Sequence, residues 1–245
     1  MGAQDTREHD LSIIIPAFNE ERRLPRAITA VRGYLDARDL KVEVLLVENG
    51  SVDATPRIAD EAAHADARFR AIHVPRRGKG LAVRTGMLQA SGDVVMFCDA
   101  DFSMPVEEAD RLYTAVRGGM DVAIGSREAP GARRIGEPAR RHLMGRVFNG
   151  LVNGLAVAGI RDTQCGFKAF RRDVARDLAG RQRLEGWAFD VELLFLSRRL
   201  GYSMREVPIT WRYDASSRVH PVRDTISMLG ELLTIRWNAL TGKYR

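Results

Sequence analysis

The run Leu11-Ser-Ile-Ile-Ile15, cut off by Pro16, constrains this chain more than any other stretch. β-Branched residues packed so densely predict a short strand buried on both faces, and such strands belong to parallel sheets covered by helices. The chain keeps the matching rhythm. Leu24, Ala27, Ile28, Val31 and Leu35 predict a helix over 20–34. A strand is expected over 42–47, a helix over 53–65 with Asp53 as its candidate cap, and a strand over 69–74. A helix over 79–90, a strand over 93–98, a helix over 105–117 opened by Pro105 and a strand over 120–124 follow. Alternation of this kind predicts an α/β, Rossmann-like, mostly parallel sheet flanked by helices. Ligands of such sheets sit beyond the carboxyl ends of the strands. Residues 16–20, 48–51, 76–80 and 99–103 are therefore expected to converge on one crevice.

The second half is less regular. Residues 126–137 read as a mobile Gly/Pro/Arg loop, 138–158 as an amphipathic helix, 165–170 as a short strand, 190–200 as a helix and 204–211 as an edge strand. A terminal helix over 221–240 carries apolar residues Ile226, Leu229, Leu232, Leu233 and Ile235. The expected division is a flexible 1–10, a catalytic domain over 11–220 and a C-terminal helical extension over 221–245 that touches a membrane surface.

Lys and Arg number 38 against 32 Asp and Glu, a formal charge of +6. That balance favours anionic partners without choosing among them. Arg133, Arg134, Arg140, Arg141 and Arg146 cluster around the single acid Glu137, either as a solvated face or as a patch for phosphate or membrane. Nucleic acid is disfavoured, because the aromatics do not interleave with a basic stripe. The two cysteines, Cys98 and Cys165, make no CxxC pair, so no zinc or disulfide framework is indicated and a reducing cytosol is expected. Residues 1–10 lack the apolar core of a signal peptide, and no run reaches the length of a membrane span. The expected location is the cytoplasm, on the cytoplasmic face of a membrane.

The sharpest chemical feature is Asp99-Ala100-Asp101 at the end of a predicted strand. Two carboxylates one residue apart can share Mg²⁺ or Mn²⁺, hard cations that accept diphosphate oxygens as further ligands. The same aspartates could instead serve as turn residues. Ser103 could touch the same ion. Arg76-Arg-Gly-Lys79-Gly80 opens a helix, where free N–H groups attract phosphate, although it reads equally as a basic turn. It is not a Walker loop, and the absence of GxGxxG after Ile15 argues against a nicotinamide enzyme. Glu48-Asn49-Gly50-Ser51 offers contacts for a base or ribose, or a simple turn. Trp187, Phe189, Asp190 and Glu192 form a polar–aromatic group. Asp190 and Glu192 cannot share a helical face, so at most one points into a site. Asp162 is a further candidate.

Several blocks together resemble the family 2 glycosyltransferases of GT-A fold: Ile14-Ile-Pro-Ala-Phe-Asn-Glu-Glu21, Val47-Glu-Asn-Gly-Ser-Val-Asp53, Arg77-Gly-Lys-Gly80, Asp99-Ala-Asp101 and Gly125-Ser-Arg127. Gly159-Ile-Arg-Asp-Thr-Gln-Cys-Gly-Phe-Lys168 and Trp187-Ala-Phe-Asp-Val-Glu-Leu-Leu194 point to the polyprenyl-phosphate branch, and within it to the dolichyl-phosphate β-glucosyltransferases. The resemblance implies an inverting, metal-dependent transfer of a hexose from a nucleotide-diphosphate sugar to a membrane-embedded polyprenyl phosphate. UDP-glucose is the favoured donor, with GDP-mannose behind it. By position it implies nucleotide contacts at Pro16, Ala17, Asn19, Glu20, Glu48 and Lys79, and a metal pair at Asp99 and Asp101. It implies phosphate clamps at Arg127 and Arg141, and sugar- or acceptor-side roles for Asp162 and Asp190. The chain has Glu48-Asn49 where the family usually has two aspartates, which bears on base and donor preference. The eukaryotic enzymes of that branch carry an N-terminal membrane anchor, and none is expected here. A sugar- or small-molecule-hydroxyl acceptor and a non-catalytic nucleotide-binding protein are the rival readings.

Overall fold

A computed structural model describes residues 8–213 and 221–244, with backbone alone for 221–227. Seven strands form the main sheet. They are β1 (His9–Ala17), β2 (Val42–Asn49), β3 (Phe69–Val74), β4 (Gly92–Cys98), β5 (Val122–Ser126), β7 (Phe167–Arg171) and β8 (Met204–Pro208), in spatial order β3-β2-β1-β4-β7-β5-β8. Every neighbouring pair is parallel except those made by β7, which runs antiparallel to both β4 and β5. A small parallel ribbon pairs β6 (Arg133–Ile135) with β9 (Thr210–Arg212).

The central strand shows why the sheet is double-faced. Successive side chains of a strand point to opposite sides. Ile14 enters one core with Leu45, Val47, Val95 and Phe97. Ile13 and Ile15 enter the other with Val44, Leu46, Val94 and Met96. Helices α1 (Leu24–Asp36), α2 (Thr55–Ala65) and α4 (Ala109–Arg117) cover the second face with apolar residues at helical spacing, such as Leu24, Ala27, Ile28 and Val31. Helices α3 (Lys79–Gln89), α6 (Arg172–Arg181), α7 (Phe189–Arg199) and part of α8 (Pro221–Leu240) cover the first. Helix α5 (Ala139–Leu155) lies against α8 and buries only Phe148 and Val152.

The chain winds one way through β1, β2 and β3 and then crosses to β4 on the other side of β1. The strand order therefore reverses between β1 and β4, the place where open α/β sheets hold their ligands.

Several expectations shift. The first helix begins at Leu24 rather than residue 20, and β1 already includes His9 and Asp10, which had been assigned to a flexible terminus. Residues 1–7 and 214–220 lie outside the described residues. The loop over 126–137 contains β6, and the single edge strand over 204–211 is two strands in two sheets. Helix α6 has no counterpart in the sequence reading, because charged residues mask its small apolar side, Val174, Ala175, Leu178 and Ala179. In α8, Leu232 and Ile235 are buried, but Leu233 faces outward. Asp53 stands one residue before the cap position of α2, yet its carboxylate still accepts the Thr55 N–H at 2.9 Å.

Candidate active site

Four loops at the carboxyl ends of β1 to β4 meet, as the alternation predicts. The loops after β1 and β2 are zipped together. The Asn19 N–H donates to the Ser51 hydroxyl at 3.0 Å, the Val52 N–H donates to Asn19 Oδ1 at 2.9 Å, and the Glu20 N–H donates to the Thr55 hydroxyl at 2.7 Å. Asn19 adopts φ 53°, a left-handed turn conformation that asparagine tolerates better than most residues. Arg77, from the loop after β3, lies over the Phe18 ring at 4.6 Å. Lys79, the first residue of α3, pairs with Asp99 beyond β4, its ammonium 2.5 Å from Oδ1.

Within this frame Pro16 and Ala17 are the last residues of β1, in register with Val47 and Glu48. Glu48 is buried. One of its oxygens accepts the Ser51 N–H and the other lies 3.3 Å from His73 Nδ1. His73 also reaches Asp60 through Nε2 at 2.9 Å. The hydrogen bond to Asp60 raises the imidazole above its usual value, and Glu48 adds to this against the opposing effect of burial.

Asp99 and Asp101 stand at the mouth of the switch point. Burial first, and the neighbouring Asp99 second, push the Asp101 carboxyl above the ordinary carboxylate range. A buried carboxylate raised by a neighbouring carboxylate makes a site that gains from a cation. Among the described residues no cluster of three or more His, Cys, Asp or Glu could hold a metal. Asp99 and Asp101 are two hard oxygen donors, a pair that fits Mg²⁺ or Mn²⁺ where substrate oxygens or water complete the ligand set. Ser103 stands behind Asp101, donating its N–H to Oδ1 at 3.0 Å, and its hydroxyl helps to hold the same carboxylate. Ala100 is buried between the two aspartates. Burial pulls the Lys79 ammonium down, but Asp99, with help from Asp190 and Asp101, holds it above its usual value.

A second charged group comes from the second half of the chain. Arg127 follows β5 and forms a two-pronged pair with Asp162: Nε to Oδ2 at 2.7 Å and Nη2 to Oδ1 at 2.8 Å, with the Arg127 N–H on Oδ2 at 2.9 Å. Burial would raise Asp162, but Arg127 overrides it and holds the carboxyl low. Arg127 lies 5.4 Å from the Trp211 ring, and Arg141, in the first turn of α5, lies 5.1 Å from the Tyr213 ring. The two arginines thus rest on adjacent rings at the end of β9, 6.1 Å apart. The Nε/Nη2 edge of Arg127 is committed to Asp162, so the two act as a unit.

Asp190 opens α7, buried, with Lys168 Nζ 3.4 Å from Oδ2. Burial pushes its carboxyl up, and Lys168 and Lys79 pull it part of the way back. Glu192 points elsewhere: it is fully buried and accepts the N–H groups of Arg183 and Leu184 and the Tyr244 hydroxyl. Phe189 packs in the core against Phe97 with the two rings tilted, whereas Trp187 stays partly exposed with Lys79 Nζ 5.3 Å from its ring.

Two residues of the site escaped the sequence reading. Lys168 is 0 % exposed in mid-strand and donates to the Cys165 carbonyl at 2.7 Å; a lone lysine between Phe167 and Phe170 was the available signal. Gly166 leaves room for Asp99.

Known proteins share this fold. Residues 12–179 match the family described as Glycosyl transferase family 2. The chain is 36% identical to a dolichyl-phosphate beta-glucosyltransferase of Drosophila melanogaster over 99% of its length and 79% of that protein. It is 33% identical to the Homo sapiens protein of the same description over 98% of its length and 79% of that protein. Its fold is similar to glucosyl-3-phosphoglycerate synthase from Mycobacterium tuberculosis, solved in complex with Mn²⁺, UDP and glucosyl-3-phosphoglycerate, with a TM-score of 0.68 at 19% identity, covering 96% of this chain and 80% of that one. The chain belongs to glycosyl transferase family 2 and carries its GT-A fold, the fold that transfers a sugar from a nucleotide-diphosphate donor.

Proposed function

We propose that this enzyme moves glucose from UDP-glucose to the phosphate of a polyprenyl, dolichyl-like lipid, with inversion at the anomeric carbon and with Mg²⁺ or Mn²⁺ bound at Asp99 and Asp101. The observation that carries the reading is a pair of charged walls: Asp99, Asp101 and Lys79 at the switch point, and the Arg127–Asp162 pair with Arg141 beyond the ends of β5 and β9, joined by Gly166, which packs against Asp99 four residues after Asp162. The dolichyl-phosphate glucosyltransferases that align along nearly the whole chain support the choice of acceptor.

The chemistry of a phosphate acceptor fits such walls. A hydroxyl must lose a proton to a placed base. A phosphate monoester, with a second pKa of about 6, is already largely dianionic at neutral pH. Its obstacle is repulsion by the donor diphosphate. A cation held by Asp99 and Asp101 would supply positive charge to the departing diphosphate. Lys79 adds a cation on the same side. Arg141 and the Arg127–Asp162 unit orient the attacking oxygen, and the Trp211 and Tyr213 rings fix the guanidiniums in place. The new bond forms between the phosphate oxygen and C1 as the C1–O bond to the diphosphate breaks on the opposite face. Asp190 serves first to hold a sugar hydroxyl.

An apolar surface supports a lipid acceptor. Leu143 (66 % exposed) and Val147 (60 %) on α5, and Trp237 (62 %) and Leu240 (84 %) on α8, face outward on two helices in contact. Leu233, Trp237 and Leu240 border a hollow of about 410 Å³. Among the described residues no helix is long and apolar enough to cross a membrane. The exposed apolar side chains would meet the lipid at a bilayer surface.

The test is a transfer assay with UDP-glucose and Mn²⁺, comparing polyprenyl phosphate in vesicles with soluble hydroxyl acceptors and GDP-mannose with UDP-glucose. Asp99→Ala and Asp101→Ala should each cut turnover by about 10²–10³-fold, on the scale of losing a group that stabilises transition-state charge. Undiminished transfer in excess EDTA would remove the metal. Glucose appearing only on a hydroxyl acceptor would replace the lipid phosphate.

A further inference from the structure

The connection from α6 to α7 carries Trp187 and delivers Asp190, and it is held by atoms from several elements. Gln182 donates its amide N–H to the Gly80 and Leu184 carbonyls at 2.9 and 2.8 Å. The Gly80 N–H donates to the Glu185 carbonyl at 2.9 Å. Glu192 takes the N–H groups of Arg183 and Leu184. The tip of the connection is held differently. Glu231, reaching over from α8, accepts the Ala188 N–H on Oε2 at 2.7 Å. Its other oxygen fills the space beside Gly186, where an added β-carbon would lie 2.1 Å from Oε1.

We propose that Glu231 is a positioning residue for the donor site: its carboxylate fixes the Gly186–Ala188 backbone so that Trp187 stands over Lys79, and Gly186 is the residue that admits it. The inference rests on the reading of Lys79 and Trp187 as part of the nucleotide-sugar site. A carboxylate at this point is poor value for folding alone. Burial pushes it up, Asp190 pushes it further, and among the described residues a single N–H, that of Ala188, answers it. An apolar side chain would fill the same place without that electrostatic cost. Leu233, Trp237 and Leu240 lie on the other side of the same helix, so the helix that presents the exposed apolar surface also grips the donor loop.

The experiment measures UDP-glucose affinity by calorimetry with Mn²⁺ and no acceptor, together with hydrogen exchange at the Ala188 amide. Glu231→Ala should weaken donor binding about tenfold, the scale of a lost hydrogen bond to a charged group, and speed Ala188 exchange. Glu231→Gln should bind close to wild type, because its amide oxygen accepts the same N–H. Gly186→Ala should match Glu231→Ala, since its new β-carbon meets only the end of a flexible side chain and displaces it. The double variant should be no weaker than either single one. Wild-type affinity and unchanged Ala188 exchange in Glu231→Ala would overturn the inference, as would additive losses in the double variant or failure of the Gln rescue. A wild-type protein that binds no nucleotide sugar would overturn the donor site, and this inference with it.

Discussion

Gly166 and Asp99 are fitted to one another: a β-carbon added at Gly166 would stand 2.0 Å from Oδ2 of Asp99. The two residues come from β4's end and from the approach to β7, which β4 and β7 bring side by side through the Cys98↔Phe167 pairing. The glycine therefore sets where the carboxylate can lie, and with it the geometry offered to a cation and to Lys79.

Gly166→Ala is expected to push Asp99 out of place while the fold survives, since the clash falls on a partly exposed side chain. Manganese affinity and turnover should fall about 10–100-fold, as when support for a metal ligand is removed. Titration of Mn²⁺ by electron paramagnetic resonance, beside a thermal melt, checks this. An alanine variant with wild-type manganese binding would show that Asp99 has another position available.

The Arg127–Asp162 pair predicts a split between stability and activity. Asp162→Ala leaves a guanidinium without its carboxylate in a site where Asp162 is 5% exposed, and should cost about 3–5 kcal/mol in urea unfolding. Exposed pairs such as Arg57–Glu61 are worth about 0–1 kcal/mol. Replacing both partners, Arg127→Met with Asp162→Leu, should recover much of the stability and none of the transfer. Activity in the stable double variant would assign the pair to folding alone.

His73 gives a pH dependence of defined sign. Its folded value is raised above its ordinary one by Asp60 and Glu48. The stabilisation is therefore fully present below the unfolded value, about 6.5, and is lost as pH rises through the folded value. His73→Gln should lower the thermal midpoint more at pH 6 than at pH 9. The effect is small, because the ring is 44% exposed. Equal losses at both pH values would place the contribution in packing.

Much of the donor half was legible because its signals are local. Leu11–Ile15 and Val42–Val47 are buried on both sides, and glycine, proline or asparagine punctuates nearly every strand end. The antiparallel course of β7 was not legible, since nothing in Phe167–Arg171 records which neighbours it meets. Lys168, Gly166 and Glu231 were hidden for a related reason. Each takes its role from a residue distant in sequence: Asp190, Asp99 and Ala188. The Arg127–Asp162 partnership was likewise invisible, although both residues stood out singly.

The exposed strip on α5 and α8 predicts partition onto vesicles. Val147→Asp and Trp237→Ser should each weaken binding to anionic vesicles roughly tenfold, from about 1.5–3 kcal/mol per large apolar side chain. Both residues are mostly exposed, so the melting temperature should hold. Sedimentation with vesicles of mixed neutral and anionic lipid measures the change. Wild-type partition by both variants would take the strip out of the lipid contact.

The antiparallel insertion of β7 sets a timetable for synthesis. Val94 of β4 has Leu11 of β1 on one side but waits for Arg171 on the other, and Val122 of β5 waits for both Phe170 and Met204. A nascent chain that has emerged only as far as β5 leaves one side of β4 and both sides of β5 open, each able to pair with a stray polypeptide. The aspartate pair, at the end of one of those strands, takes its final setting only when Gly166 and β7 arrive, so the candidate site is completed late in synthesis rather than with the half of the chain that precedes it.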